Sequence, residues 1–315
     1  MSYSIQSGSG TSSLIETTDK DLRSTITSAS CEYDNQDNSS SDKCVGEVYK
    51  GDGVTSSPVS YFKKLRKYCD YSDKAYLYAN KPPDASSGIK LFPAGTIDGK
   101  YSPSYFVAKE DAEKRIIICI KGTSQRKDVV ADLKMIKFKD ITKVPTFHEA
   151  MMSAAMKILF QDELLENYIK PAIKENKKIR FVGHSLGGGV ATYLTLILVL
   201  MPVLYQGLPK PDIHAYVYGC PSIMPRCFSS KLEPYITSVV HDNDTVCRVP
   251  PFKNLVVPGN SKIIHIVDCK DLKHKVFIRH WRFFKKGIIG LSTQVTDHLL
   301  DAYIGALDFI IKEYA

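Results

Sequence analysis

One tryptophan, Trp281, occurs in 315 residues. The eight cysteines (Cys31, Cys44, Cys69, Cys119, Cys220, Cys227, Cys247 and Cys269) form no Cys-x-x-Cys pair, and no Cys/His group has zinc spacing. These absences exclude a zinc-ribbon or dithiol redox module. Eight cysteines are ordinary usage for this length, which excludes a disulfide-stapled miniature fold. No apolar run reaches the roughly 20 residues that cross a bilayer. The longest, Val190 to Leu204, holds Thr192, Thr195 and Pro202 and reads as a buried helix. Met1 to Thr11 is rich in Ser and Gly, with neither a basic start nor an apolar core. That predicts reduced thiols and a cytoplasmic location, in which the sequon at Asn38 carries no meaning. Internal repeats are absent.

What is present is an ordinary globular composition, 43% apolar and 24% charged. The charge is unevenly spread. Residues 1–60 hold 15 Ser, nine acids and four bases, a local charge of −5, so the net +8 leaves +13 on residues 61–315. Sparse, aperiodic apolar residues cannot offset the ordering entropy of such a segment. Residues 1–57 are expected to form a disordered, Ser-rich acidic tail, and residues 58–315 a single globular domain.

Within that domain, Pro58 to Ala79 reads as a helix broken at Lys81-Pro82-Pro83. Tyr105 to Lys109 reads as a short strand. Arg115 to Ile120 is a continuous β-branched run, the mark of a strand buried on both faces of a parallel sheet. Phe147 to Tyr168 reads as one amphipathic helix. A strand at Ile179 to Val182 precedes a helix at Leu186 to Val199. Further strands are expected at Ile213 to Tyr218, Ile236 to Val240 and Ile263 to Val267, and a closing helix at Leu299 to Ile311. Strands alternating with helices indicate an α/β fold with a mostly parallel central sheet flanked by helices.

The most specific motif is Gly183-His184-Ser185-Leu186-Gly187, set between an apolar strand and an apolar helix. A sharp strand-to-helix turn forces its central residue into strained backbone geometry, and side chains two positions either side would collide. Glycines at 183 and 187 fit that need, and Ser185 then stands exposed above a helix N-terminus. A nucleophilic serine needs a base, and the base needs an orienting acid. In the chain order Ser, acid, His, the acid falls after the strand ending near His241, where spacing leaves Asp242 and Asp244 open. The base candidates are His241, His265, His274, His280 and His298. His298, just before the last helix, is best placed to swing over the sheet edge. Two N–H donors are needed for a developing oxyanion. One is expected from Leu186. The other is expected from Thr123 in the Lys121-Gly122-Thr123-Ser124 turn after the Arg115 strand.

Taken together these blocks resemble the class 3, or fungal-type, lipase family of the α/β-hydrolase superfamily, with the catalytic domain of diacylglycerol lipases the nearest branch. Ile118 to Leu133 looks like the family's oxyanion-strand motif. Phe147 to Met152 is similar to the start of the helix before the elbow, and Tyr218-Gly-Cys-Pro221 to the strand end after it. Asn243 to Pro250 resembles the segment whose Asp is the triad acid, which selects Asp244. Asp297-His298 with Tyr303 resembles the terminal His motif. The resemblance implies an α/β-hydrolase fold over residues 58–315. It implies hydrolysis of glycerolipid esters by Ser185, Asp244 and His298 through an acyl-enzyme, with Thr123 and Leu186 as the oxyanion hole and no cofactor. Phospholipase A1 and general carboxylesterase activities are the alternatives within the enzyme class. An inactive lipid- or partner-binding module on the same fold is the alternative outside it. Two departures from the family pattern are Lys121, where Arg is usual, and Cys247, where Pro is usual.

The stretch Lys273 to Lys286 holds Lys273, Lys275, Arg279, Arg282, Lys285 and Lys286 without an acid, interleaved with aromatics that include Trp281. Basic and aromatic side chains together suit peripheral contact with an anionic membrane surface. A solvated basic face is the bland alternative. No motif points to nucleic acid. Ser124 to Pro145 and Pro251 to Thr296 are the two segments expected to cover the serine. His148 suits a helix cap as well as a catalytic role.

Overall fold

A computed structural model of the chain describes residues 43–44, 58–97, 100–123, 148–225, 228, 231–248, 255–259, 263–268, 274–279 and 296–315. In chain order the first elements are β1 (Lys43–Cys44), α1 (Pro58–Asn80), β2 (Ile89–Phe92), β3 (Gly95–Ile97), β4 (Lys100–Ser102), β5 (Tyr105–Glu110) and β6 (Arg115–Ile120). Next come α2 (Glu149–Met156), α3 (Lys170–Lys174), β7 (Lys178–His184) and α4 (Leu186–Leu200). The last are β8 (Ile213–Tyr218), β9 (Met224–Pro225), β10 (Ile236–His241), β11 (Leu255–Val256), β12 (Ile263–Asp268), β13 (His274–Arg279) and α5 (Leu300–Tyr314).

A nine-stranded sheet runs in the order β1-β13-β12-β10-β8-β7-β6-β5-β2. Its heart, β6-β7-β8-β10-β12, is parallel. The edges β2, β5, β13 and β1 are antiparallel. Two cores explain the continuous apolar runs. Ile116, Ile118 and Ile120 of β6 join Phe181 and the residues of α2 and α4 on one face. Ile117 and Cys119 join Phe106, Val182, α1 and α5 on the other. A strand covered on both sides has no solvent face, so it needs no polar alternation. The helix α4 is buried from Gly187 through Leu198, as its unbroken apolar sequence implies. Among the described residues no helix is long and apolar enough to cross a membrane.

The single helix expected over Phe147 to Tyr168 is not formed. After α2 the chain widens into a π-type turn at Lys157–Gln161. It then breaks at Glu163, which sits at φ 57°, and a second π-type segment, Leu165–Ile169, leads into α3. Ile158, Leu159, Phe160, Leu164, Leu165 and Ile169 are all buried. A straight helix would spread these over more than one face, and the wide turns and the break re-aim them inward. The other expected elements are found within a few residues of their predicted ends. Of residues 1–57 only the pair forming β1 is described, so the disorder expected there falls outside the described residues. Ser124 to Pro145 likewise lies outside the described residues. Of Pro251 to Thr296, the described parts include β12 and β13, which are strands of the main sheet.

Candidate active site

The site is built at the C-terminal edge of the parallel strands. β7 ends, the chain turns through Ser185, and α4 begins at once. Ser185 sits at φ 56° and ψ −127°, a region that costs an L-residue of order 1–3 kcal/mol. The surrounding glycines make this geometry feasible. A Cβ on Gly183 would collide with the backbone of Gly187 and Gly188, and one on Gly187 with the Ile120 carbonyl. Two backbone bonds pin the turn: Ser185 N–H donates to the Tyr218 carbonyl at 2.9 Å, and Gly189 N–H to the Ser185 carbonyl at 3.2 Å.

Two residues far away in sequence converge on this hydroxyl. His298 Nε2 lies 2.9 Å from Ser185 Oγ, and His298 Nδ1 lies 2.8 Å from Asp244 Oδ2. Asp244 is 0% exposed, His298 2% and Ser185 3%. Three donors hold the buried carboxylate. Besides His298, Tyr303 O–H donates to Oδ2 at 2.5 Å, and Val246 N–H donates to Oδ1 at 2.8 Å. Burial pushes Asp244 up, but His298, Tyr303 and Val246 together hold it below the usual carboxylate range. Of the two acids that spacing left open, Asp244 is the one that meets His298. Asp242 adopts φ 35°, and its carboxylate accepts from the side chain of its neighbour Asn243, while Asp244 faces inward.

The other histidines are placed elsewhere. His265 is buried on β12, with Nε2 2.8 Å from the Asp242 carbonyl. His241 ends β10 with Nδ1 3.4 Å from the Asp297 carbonyl. His274 opens β13, and His280 lies outside the described residues. His148 caps α2, its Nδ1 accepting from Met151 N–H at 3.3 Å. Burial pushes its pKa down to about 4.

His184, between the glycine and the serine, is a strut. Its Nε2 donates to the backbone carbonyl of His298 at 2.8 Å. That tautomer leaves Nδ1 to accept from Tyr76 O–H at 2.9 Å. Burial, then the nearby His298, push its pKa down to about 3, so the ring is neutral near pH 7. Tyr76 also abuts the turn after β6. A Cβ on Gly122 would strike the Tyr76 hydroxyl and the His184 carbonyl, and would stand 3.2 Å from Ser185 Cβ. Thus Lys121-Gly122-Thr123 lies directly against the serine turn. Leu186 opens α4, where backbone N–H groups have no intrahelical partner.

Two contributors escaped the sequence reading. Tyr76 is one tyrosine among several on α1 and carries no local signal. Gly219, directly after β8, has φ 56°, and a Cβ there would stand 2.9 Å from both Asp244 Oδ2 and the His298 ring. The Tyr218-Gly-Cys-Pro221 block held that signal, since only glycine fits both constraints.

Residues 117–254 match the class 3 lipase family. The lipase of Rhizomucor miehei is 27% identical over 160 residues, covering 48% of this chain and 42% of that protein. Diacylglycerol lipase-alpha of Homo sapiens is 26% identical over 168 residues, covering 48% of this chain and 15% of that protein. The chain therefore spans less than half the length of these curated relatives. A solved triacylglyceride lipase of Rhizomucor miehei superposes with a TM-score of 0.58 at 20% identity, covering 77% of this chain and 94% of that one. A triacylglycerol lipase described as having a serine protease triad gives 0.55 at 20% identity, covering 75% and 92%. The fold is that of the α/β-hydrolases.

Proposed function

We propose that this chain, similar to class 3 lipases over residues 117–254, is a serine ester hydrolase acting on glycerolipids. The observation that carries the reading is the continuous hydrogen-bonded path from Ser185 Oγ through His298 to a buried, three-donor Asp244. In this reading Ser185 attacks the acyl carbonyl while His298 Nε2 takes its proton. Asp244 holds the imidazole in the tautomer that presents a lone pair to the serine, then stabilises the imidazolium. The N–H groups of Thr123 and Leu186 receive the oxyanion. His298 returns the proton to the departing glycerol oxygen, and water, activated the same way, releases the fatty acid from Ser185.

The test is twofold. A fluorophosphonate probe should label the protein once, with the adduct on the peptide carrying Ser185. A panel of short-chain esters, diglycerides, triglycerides and phospholipids should release fatty acid fastest from neutral glycerides. An unlabelled protein that releases no fatty acid from any of them would falsify the proposal. Fastest release from phospholipid would retain the chemistry and reassign the substrate to the phospholipase A1 class.

Tyr303 offers a finer test. Its hydroxyl lowers Asp244, so Tyr303→Phe should let that carboxyl rise and lose its charge at higher pH. The acid limb of the pH–rate profile should move upward, with kcat reduced about tenfold at its plateau. An unmoved acid limb would show that the hydroxyl does not tune the acid.

Peripheral membrane contact through Lys273, Lys275, Arg279, Trp281, Arg282, Lys285 and Lys286 belongs to the same proposal. Its support is the sequence pattern. The described backbone there is β13, a strand next to the sheet edge, and the rest lies outside the described residues.

A further inference from the structure

At the N-terminal end of the parallel strands, opposite Ser185, the α1-facing surface of the sheet stops being apolar. Above, this surface is built from Val182, Tyr218 and Val239. Tyr216, level with Val182, pairs with Thr237, and below that row Arg180 pairs in register with His214. A strand position under a covering helix normally carries an apolar side chain. Here α1 presents Tyr61 and Lys64 over the polar row, and a cleft of about 440 Å³ opens between them.

The charge in this cleft is unbalanced. Arg180 is buried at 9% exposure. Its Nη1 is held by Asp212 Oδ1 at 2.8 Å and by the Ile179 and Asp212 carbonyls at 3.0 Å. Lys64 has no carboxylate partner among the described residues. Its ammonium rests 5.5 Å from the Tyr216 ring centroid and 5.9 Å from that of Tyr61. Burial first, then Arg180 and Arg115, push the Lys64 pKa down. His214 bonds Thr237 Oγ1 at 2.8 Å, and burial, then Arg180 and Lys64, keep it neutral with a pKa of about 4. One carboxylate, on Asp212, therefore faces two cations. The walls beyond them are Tyr61, Tyr216, Tyr235, Pro211 and Pro234. A planar guanidinium beside an ammonium suits a tetrahedral oxyanion, and ring walls suit a small organic group attached to it.

We infer that this cleft, walled by Lys64, Arg180 and His214, binds a phosphate monoester, either free in solution or as the headgroup of an anionic lipid. It is separate from the serine site. Lys64 and Tyr76 lie on the same helix, and 12 residues at 1.5 Å each place them about 18 Å apart.

The test uses the full chain at fixed ionic strength, by calorimetric titration with inorganic phosphate and glycerol 3-phosphate. Co-sedimentation with phosphatidylcholine vesicles containing phosphatidic acid forms the second arm. Saturable binding should weaken at least about tenfold in Lys64→Gln. That variant alters a side chain at the mouth of the cleft, away from the serine site, and should keep the parent's circular dichroism spectrum and melting temperature, which report a folded protein. Lys64-dependent binding of the soluble probes identifies a free ligand. Lys64-dependent binding confined to vesicles identifies a headgroup. Ser185→Ala should bind as the unmodified protein does, which separates this inference from the hydrolase proposal. If no probe binds, or if Lys64→Gln binds them all undiminished, the inference is overturned.

Discussion

Ser185→Ala is expected to lower kcat by about 10⁶ while leaving the fold intact. The substitution keeps the Cβ and therefore the same strained backbone at φ 56°. Nothing packed against the elbow needs to move. What disappears is the oxygen 2.9 Å from His298 Nε2. Fluorophosphonate labelling should vanish with it, while the circular dichroism spectrum and melting temperature should stay close to those of the parent. Residual hydrolysis of about 10³–10⁴ over water can persist, because the oxyanion donors and the binding surface survive. A variant that keeps more than about a hundredth of the activity would show that another group is the nucleophile.

Asp244→Asn should cost about 10⁴ in kcat, and it should also cost stability. The groups that hydrogen-bond this carboxylate include three donors: His298 Nδ1–H and Tyr303 O–H at Oδ2, and Val246 N–H at Oδ1. An asparagine has one acceptor oxygen and sets an NH₂ against at least one of these donors. Either His298 changes tautomer and turns an N–H toward the serine, or a buried donor is orphaned at about 1–3 kcal/mol. The native carboxyl is held low, so its contribution to stability is full above the unfolded-state pKa. That contribution is lost as pH falls through the lower folded value. The asparagine variant should lack that part of the acid sensitivity. Urea titrations at pH 7 and at about pH 3, below the unfolded-state value, would measure both effects, and equal sensitivity in the two proteins would contradict the account.

The parts of this site that sequence makes visible are those enforced by local sterics. Gly183, Ser185 and Gly187 are legible because a sharp turn excludes side chains at the flanking positions. The parallel sheet is legible because runs such as Arg115 to Ile120 have no polar alternation. Contacts made across long chain separations are not visible locally. Asp242 and Asp244 differ by two residues in one turn, and only the docking of a segment 54 residues further on distinguishes them. Tyr76 reaches His184 across 108 residues. The break at Glu163 was missed because its apolar spacing still resembles a helix, while the buried side chains are satisfied only by wide turns. The strand β13, next to the sheet edge, is hidden inside a stretch dominated by charge.

The base and its clamp, Tyr303, both hang from the start of α5, which is held against α1 by Arg66 and Asp308 at 2.7 Å and by Phe62 and Tyr314 rings 6.0 Å apart. The same α1 carries Tyr76 to the elbow. A chain emerging from the ribosome therefore has residue 185 before it has His298, the side chain that meets the serine hydroxyl. The hydrogen-bonded path from Ser185 through His298 to Asp244 is complete only once the segment beyond residue 296 has docked.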